Sequence, residues 1–258
     1  MSWLALLALL GAVLITLWFW RRARQNEKLK EEFITTVTHK FRTPMTGIKW
    51  AVEMLHNDVT FQKKEDLLKE IEKATERIRE IVDLLTGFAT LDAPGERQYE
   101  LTSLHTLIEK TLERYAQPIR EKKIAFNTNL SGAVPSLMLD KTKIQFVLDV
   151  LLENALQYTP PGGLVGIGLA RNKQNIRLSV SDNGLGIKSS DLGFIFKRFW
   201  RSDAAKQLDT EGMGLGLYTA RRIIERLGGR MWVESPGLNL GSTFFVELPI
   251  TGYDFKFK

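Results

Sequence analysis

Several features that would mark particular classes of protein are missing from this chain. Its 258 residues include no cysteine, which excludes disulfide bonds and thiolate metal sites and agrees with a reducing compartment. It has no internal repeat and no low-complexity tract. The remaining composition, 44% hydrophobic and 26% charged, is that of an ordinary globular protein, and the length suffices for one or two domains with cores of their own.

A run of apolar residues near the amino terminus, residues 3–20, carries no charge. At about 1.5 Å per residue it spans roughly 27 Å, close to the hydrocarbon thickness of a bilayer. Trp3, Trp18 and Trp20 stand near its two ends, as interfacial aromatic residues do. We therefore predict a transmembrane helix in residues 1–20. A cleaved signal peptide is the alternative, but no basic region precedes the run and no small-residue cleavage pattern follows it.

The net charge of +6 is partly concentrated just after this run, in the basic residues between 21 and 30. A basic cluster beside an apolar segment faces anionic lipid more often than nucleic acid, so we expect no nucleic-acid partner. The positive-inside rule predicts that the amino terminus lies outside and that the rest of the chain lies in the cytoplasm. The expected location is the cell (inner) membrane, with a single pass through residues 3–20.

Two helical patterns follow the basic cluster. From residue 21 to about residue 57, apolar residues recur close to heptad spacing, and a second such helix follows a turn at 56–60. The first apolar stripe consists of Ile34, Val37, Phe41, Met45, Ile48, Val52 and Leu55. The second consists of Leu67, Ile71, Ala74, Ile78, Ile81 and Leu85.

His39 lies nearly opposite the first stripe, and Thr43 lies one turn further along the same face. Pro44 should bend this helix rather than end it, because the apolar period resumes beyond it. A two-helix hairpin with so wide an apolar face needs a partner. We therefore predict that two copies of the chain form a four-helix bundle.

A short segment containing proline and glycine, 91–95, predicts a linker between two domains. We assign 21–90 to a signalling helix and an all-α hairpin, and 96–258 to an α+β sandwich with helices on one face of a mixed, mainly antiparallel sheet. The predicted helices are 102–120, capped by Thr102 or Ser103, 140–158, capped by Asp140, and 215–227. The predicted strands are 123–127, 136–139, 164–170, 176–180, 230–233 and 243–248.

The segment 182–187 directly follows one of these strands. An aspartate there, Asp182, can accept a hydrogen bond from an exocyclic amine, and Gly184 and Gly186 let the backbone approach a planar base closely. A tight turn after a strand is the alternative, since Asp-Asn-Gly is also turn chemistry.

A second glycine-rich segment, 212–217, opens a predicted helix. Backbone N–H groups at a helix N-terminus point at anions, and Gly212, Gly214 and Gly216 permit close approach of phosphates. No predicted strand precedes the segment, so a dinucleotide-binding Rossmann site is disfavoured. Loop flexibility is the alternative for such a motif taken alone.

Asn154 and Glu153 lie on the predicted helix 140–158. An asparagine on an otherwise apolar helix is usually a satisfied interior polar group. Next to two glycine loops, however, the amide oxygen of Asn154 becomes a candidate ligand for a phosphate-bound Mg²⁺. Glu153 is a candidate for binding a metal-bound water, with a surface glutamate as the alternative.

Six segments, in this order, resemble the sequence boxes of bacterial two-component sensor histidine kinases. The resemblance covers nearly everything after residue 20. The corresponding segments are the H box (38–44), the N box (152–158), the first glycine box (182–187), the F box (194–201) and the remaining glycine boxes (212–217 and 241–244).

The resemblance implies a dimerisation and histidine-phosphotransfer hairpin followed by a histidine-kinase-type ATPase domain. His39 would take the γ-phosphoryl group of ATP and pass it to an aspartate of a response-regulator receiver. Thr43 matches the position of a hydroxyl used in dephosphorylating that receiver. ATP and Mg²⁺ are the implied cofactors.

The resemblance also assigns roles around the nucleotide. Asn154 would hold Mg²⁺, Asp182 would bind the adenine amine, and Tyr158 would lie against the base. Residues 200–211 would form a mobile lid over the nucleotide, which fits their polar composition. The other implied nucleotide-binding residues are Gly184, Gly186, Lys197, Arg198, Arg201, Gly212, Gly214, Gly216 and Thr243.

Two positions depart from the family pattern. The family usually has Glu or Asp directly after the histidine, whereas this chain has Lys40, which cannot accept a proton while charged, and no acidic residue lies within one turn of His39. General-base catalysis typically raises a rate about 10²- to 10⁴-fold. We therefore expect Lys40 to slow autophosphorylation by a factor in that range, unless an acid comes from elsewhere or the Lys40 ammonium stabilises the γ-phosphate.

Gln157 is the second departure. It replaces a Lys or Arg that often contacts phosphate in the family, and that positive charge would then come from Lys197, Arg198 or Arg201.

The expected function is therefore that of a membrane-bound sensor histidine kinase. A response-regulator phosphatase, or an ATP-binding scaffold with weak kinase activity, is the alternative, favoured by Lys40 together with a retained Thr43. The chaperone, gyrase and mismatch-repair ATPases share the ATP-binding boxes but lack the histidine helix in front of them.

Overall fold

The computed structural model describes residues 34–57, 60–89, 99–130, 134–209 and 212–250. The chain divides into two compact units, residues 1–81 and 82–258. The predicted linker, 91–95, lies outside the described residues. The domain bounds given above therefore stay a prediction.

The described residues of the first unit are helical, as predicted. Helix α1 runs through residues 34–55, continuing past Pro44. Helix α2 begins after the turn at 56–60 and spans Phe61–Ala89, so that its last residues, 82–89, belong to the second unit. The apolar stripe of α2 is largely covered, with Leu67 2% and Ile81 4% exposed. The stripe of α1 is covered less completely, since Met45 remains 59% exposed.

The predicted membrane anchor and membrane localisation need correction. None of the helices among the described residues is long and apolar enough to cross a bilayer. The segment on which the prediction rested, residues 3–20, lies outside the described residues. The predicted localisation is therefore wrong on this evidence, and the fold class reduces to a helical hairpin followed by an α+β domain.

The second unit is the predicted α+β sandwich. A five-stranded sheet has the order β2-β4-β5-β7-β6, with β2 parallel to β4 and the other neighbours antiparallel. A separate antiparallel pair, β1-β3, lies beside it. The strands are β1 (Tyr99–Thr102), β2 (Ala125–Leu130), β3 (Leu137–Asp140), β4 (Leu164–Asn172), β5 (Asn175–Asp182), β6 (Arg230–Glu234) and β7 (Ser242–Pro249). The helices are α3 (Leu104–Glu121), α4 (Lys141–Tyr158), α5 (Asp203–Leu208) and α6 (Gly216–Arg226).

The core of this unit lies between α3, α4 and α6 and one face of the sheet. Side chains alternate along the central strands, so that Val165, Ile167 and Leu169 of β4 are buried. Helices α3 and α4 begin at the side-chain caps predicted from the sequence. Ser103 Oγ accepts a hydrogen bond from Thr106 N–H at 3.4 Å, and Asp140 Oδ1 accepts one from Lys143 N–H at 3.2 Å.

The structure differs from the predicted elements in three places. Strand β1 was not predicted, and Thr102, the predicted first residue of a helix, is its last residue, so that Ser103 is the cap. Strand β2 begins later than predicted because Lys123 has a left-handed backbone (φ 54°) and its N–H donates to Arg120 O, which turns the chain there. The stretch predicted as a lid, 200–211, contains the short helix α5.

Candidate functional site

The candidate phosphoacceptor lies on an open face of α1. His39 and Thr43 are exposed, one turn apart, as predicted, and Lys40 is partly buried between them along the chain. No acidic residue occurs between residues 35 and 43 of this helix. The imidazole is therefore accessible, but no carboxylate lies within one turn of it on α1.

The carboxylate of Asp182 is fixed at the end of β5 by hydrogen bonds from Gly184 and Ser242. Its Oδ1 accepts from Gly184 N–H at 2.9 Å, and its Oδ2 accepts from the Ser242 hydroxyl at 2.6 Å. Burial raises the pKa of Asp182 above its usual range, and the hydrogen bonds from Ser242 and Gly184, including one from the Ser242 backbone N–H, oppose that rise.

The sequence predicted a nucleotide-binding role for Thr243 but not for its neighbour Ser242. The register of the sheet explains the difference, because Asp182 pairs directly with Ser242 across β5 and β7, and Thr243 pairs with Ser181. Thr243 is partly buried and lies one position further along β7.

The glycines of 182–187 are required by the protein's own backbone. A Cβ atom on Gly184 would lie 2.2 Å from Tyr158 O, and one on Gly186 would lie 2.0 Å from Gly237 O. Gly186 also has a left-handed backbone, with φ 63°. These contacts join the first glycine segment to the end of α4 and to the turn before β7, whatever the ligand.

The second glycine segment is equally constrained. A Cβ atom on Gly212 would lie 2.6 Å from Asp209 Oδ2, and one on Gly214, whose φ is 67°, would lie 2.8 Å from Trp200 O. Gly216 begins α6 and would meet Val150 of α4 at 3.3 Å. Leu215, at the N-cap of α6, provides no side-chain cap, so the first N–H groups of this helix remain available for an anion.

The amide of Asn154 is oriented as a cation ligand requires. Its Nδ2 donates to Val150 O at 2.5 Å, which leaves Oδ1 directed elsewhere. Glu153 Oε1 accepts from the Tyr115 hydroxyl at 2.6 Å, which restricts its predicted metal role. Within the described part of the chain, no three His, Cys, Asp or Glu residues form a metal cluster. The donor set therefore fits Mg²⁺ held by one protein oxygen and substrate phosphates.

Arg201 connects Tyr158 with the second glycine segment. Its Nη1 donates to Gly212 O at 3.1 Å, and its Nη2 lies 3.4 Å from the Tyr158 hydroxyl. The other two cations predicted to bind phosphate are directed to aromatic rings. Lys197 Nζ lies 4.1 Å from the ring centroid of Phe194. Arg198 donates to the Tyr218 hydroxyl at 2.5 Å.

A cavity of about 330 Å³ adjoins this cluster. Its lining includes Gly186 and Arg201 together with apolar side chains of Ile187, Trp200 and Leu238. The structure thus brings together Tyr158, both glycine segments and Arg201 in the second unit. His39, Lys40 and Thr43 belong to the first unit.

Two protein families match this chain. Residues 29–94 match the family described as "His Kinase A (phospho-acceptor) domain". Residues 139–252 match "Histidine kinase-, DNA gyrase B-, and HSP90-like ATPase". The first match contains His39, and the second contains the Asp182 turn and both glycine segments.

Two curated relatives align with most of this chain. The alginate biosynthesis sensor protein KinB of Pseudomonas aeruginosa is 31% identical over 233 residues, which cover 88% of this chain and 38% of KinB. The adaptive-response sensory kinase SasA of Synechococcus elongatus is 31% identical over 245 residues, covering 89% of this chain and 61% of SasA. The chain therefore spans less than two thirds of the length of these relatives.

Solved structures agree with the fold. The histidine kinase ThkA in complex with response regulator protein TrrA aligns with a TM-score of 0.65 and 26% identity, covering 90% of this chain and 65% of that one. Full-length ShkA in complex with AMPPNP aligns with a TM-score of 0.62 and 25% identity, covering 83% of this chain and 45% of ShkA.

Proposed function

This chain belongs to the two-component sensor histidine kinases, and from that premise we propose that it transfers the γ-phosphoryl group of ATP to His39 and then to an aspartate of a response regulator. The observation that carries the proposal is the carboxylate of Asp182, which is fixed by hydrogen bonds from Gly184 and Ser242. It is a directed acceptor in a domain that matches an ATPase family.

The proposed chemistry depends on positioning more than on covalent assistance. A neutral imidazole nitrogen of His39 attacks the γ-phosphorus, the bond from that phosphorus to the β–γ bridging oxygen breaks, and ADP leaves. The ring proton passes to solvent or to a base. Gly212–Gly216 and the N-terminus of α6 support charge on the phosphates.

We assign the magnesium ion to Asn154. Its Oδ1 is directed away from the helix carbonyl that Nδ2 bonds, and phosphate oxygens and waters would complete the coordination. Mg²⁺ held there would supply positive charge that offsets the negative charge of the phosphates. Asp182 would accept a hydrogen bond from the adenine amine, and Tyr158 would pack against the adenine base.

The direct test is incorporation of γ-labelled phosphate from Mg-ATP into the purified chain. Acid-labile, alkali-stable label is expected for a phosphohistidine. A chain that binds ATP and remains unlabelled would instead favour the second candidate function, dephosphorylation of a receiver. Lys40 in place of an acid and the exposed hydroxyl of Thr43 are the observations that support this second candidate.

Lys40→Glu is expected to raise the autophosphorylation rate by about 10²- to 10⁴-fold, because it supplies a carboxylate next to the acceptor histidine. Initial rates of label incorporation at saturating Mg-ATP measure the effect. Lys40→Gln is the matched control, since it removes the positive charge without adding a base. A gain of the same size in both variants would attribute the effect to charge alone, and a loss in both would make Lys40 a productive phosphate contact.

We also propose that the hairpin forms a homodimer through Met45, Ile48, Ile71 and Ile78. Met45 is 59% exposed in the single chain, and Val52 and Leu68 are 41% and 52% exposed, which leaves an apolar surface without cover. Light scattering at micromolar concentration is expected to give twice the mass of one chain. Ile48→Asp should shift the population toward monomer, whereas Thr46→Asp, at an exposed position two residues away, should not. A wild-type monomer would exclude the bundle.

A further inference from the structure

Arg201, the cation that contacts both Tyr158 and the second glycine segment, is already held by an acid. Its Nη2 donates to Asp209 Oδ2 at 2.9 Å. The two side chains are 10% and 12% exposed, so the ion pair is largely removed from water. Because both charged groups are largely removed from water, separating them so that Arg201 can bind another partner carries a considerable electrostatic cost.

The Nη2 group has more acceptors than hydrogens. It carries two hydrogens and lies within hydrogen-bonding range of three acceptors, Asp209 Oδ2, Ala205 O at 2.9 Å and the Tyr158 hydroxyl at 3.4 Å. A phosphate oxygen that reaches this group must therefore displace an acceptor. The carboxylate of Asp209 is the acceptor with the same sign of charge as phosphate.

Asp209 is also built into the helix of the predicted lid. Ser202 Oγ accepts from Ala205 N–H at 3.1 Å at the start of α5, and Asp209 N–H donates to Ala205 O at 3.0 Å at its end. The glycine segment passes so close that a Cβ atom on Gly212 would meet Asp209 Oδ2 at 2.6 Å. The pair thus ties both ends of α5 to the segment proposed to bind phosphate.

We infer that Asp209 is a positioning residue that competes with the nucleotide phosphates for Arg201 and thereby sets the affinity for ATP. The inference rests on the proposed function, in which Arg201 contacts phosphate. When the binding-competent state is populated only in part, the apparent dissociation constant rises by the inverse of that fraction. An Arg201–Asp209 ion pair that is formed about nine-tenths of the time lowers the affinity for ATP about tenfold.

The test is calorimetric titration of Mg-ATP into Asp209→Asn, which keeps an acceptor oxygen and removes the charge. About tenfold tighter binding of Mg-ATP is expected, with the affinity for adenosine, followed by nuclear magnetic resonance, unchanged. Asp66→Asn is the matched control. It makes the same charge change at an exposed position of α2, in the other compact unit. Both affinities should stay as in the wild type.

Two further variants separate competition from structural support. Asp209→Glu keeps the charge and should restore wild-type affinity, and Asp209→Asn in an Arg201→Gln background should give no gain. Should the Asn variant fail to fold, Asp209→Ser removes the same charge and must give the same gain. Unchanged or weaker ATP binding in a folded variant overturns the inference while leaving the proposed function intact. A wild-type chain that binds no ATP overturns both.

Discussion

Replacing His39 by glutamine is expected to reduce phosphate incorporation to background while ATP binding remains at the wild-type level. Glutamine has a polar side chain of comparable length and good helix propensity, so α1 should persist. Its amide has no nucleophilic nitrogen, so the acceptor function disappears completely. Nucleotide affinity should survive because Asn154, Asp182 and both glycine segments belong to the other compact unit.

The chain provides its own control for this experiment. It contains three histidines, and His56, in the turn after α1, is exposed like His39. His56→Gln should incorporate label at the wild-type rate, with the same acid lability. Label that persists in His39→Gln, or disappears in His56→Gln, would move the acceptor to another residue. Calorimetric titration with Mg-ATP on each variant separates a lost acceptor from a lost nucleotide site.

The helix caps, the turn and the helices that the sequence predicted well depend on residues that are close together in the chain. Ser103 and Asp140 cap helices whose first N–H groups lie three residues away, and the turn containing Asp182 and Gly184 closes over two residues. The apolar periods of α2 and α4 likewise show within a few turns. Such elements need no knowledge of the rest of the fold.

The contacts that the sequence did not predict connect distant or aperiodic segments. Ser242 lies 60 residues from Asp182, and only the register between β5 and β7 brings the two together. Strand β1 has four residues and pairs with β3 nearly forty positions onward, too short a segment to give a periodic signal. Arg201 and Asp209 lie in a polar stretch with no apolar period, where composition indicates a loop but not an ion pair.

The glycines of both motifs are required by the protein's own packing as well as by ligand binding. The sequence suggested that glycines admit a base or phosphates, yet Gly184 and Gly214 are each confined by the protein's own backbone, by Tyr158 O and by Trp200 O. Ligand binding and close backbone packing therefore impose the same residue type at these positions. The side chains that discriminate a nucleotide site from a mere turn are Asp182 and Arg201, because their polar groups are directed and partly buried.

Asp182→Asn is expected to weaken Mg-ATP binding by about 10- to 150-fold, the range for loss of one hydrogen bond to a charged group worth about 1.5–3 kcal/mol. The amide oxygen can still accept from Gly184 N–H, and the new amide nitrogen can donate to the Ser242 hydroxyl, so the turn should remain. The variant loses the negatively charged carboxylate that would accept a hydrogen bond from the adenine amine. Calorimetric titration with Mg-ATP measures the change.

The pKa of Asp182 predicts that this variant stays folded. Burial raises the pKa in the folded state, so the folded chain holds the Asp182 proton more tightly than the unfolded chain does. The stabilisation associated with that proton is complete below the unfolded pKa and is lost as pH rises through the folded pKa. At neutral pH the ionised carboxylate therefore costs stability, and an uncharged amide avoids that cost. Thermal unfolding of Asp182→Asn should begin no earlier than that of the wild type.

Ser242→Ala distinguishes recognition of the base from support of the turn. It removes the hydroxyl that donates to Asp182 Oδ2 at 2.6 Å but leaves the carboxylate and its charge in place. If Asp182 recognises adenine, Ser242→Ala should lower ATP affinity far less than Asp182→Asn does. If Asp182 only supports the turn, the order reverses, because the alanine variant loses a bond that the asparagine variant retains. The ranking of these two folded variants therefore decides whether the carboxylate at the end of β5 binds the nucleotide or the loop.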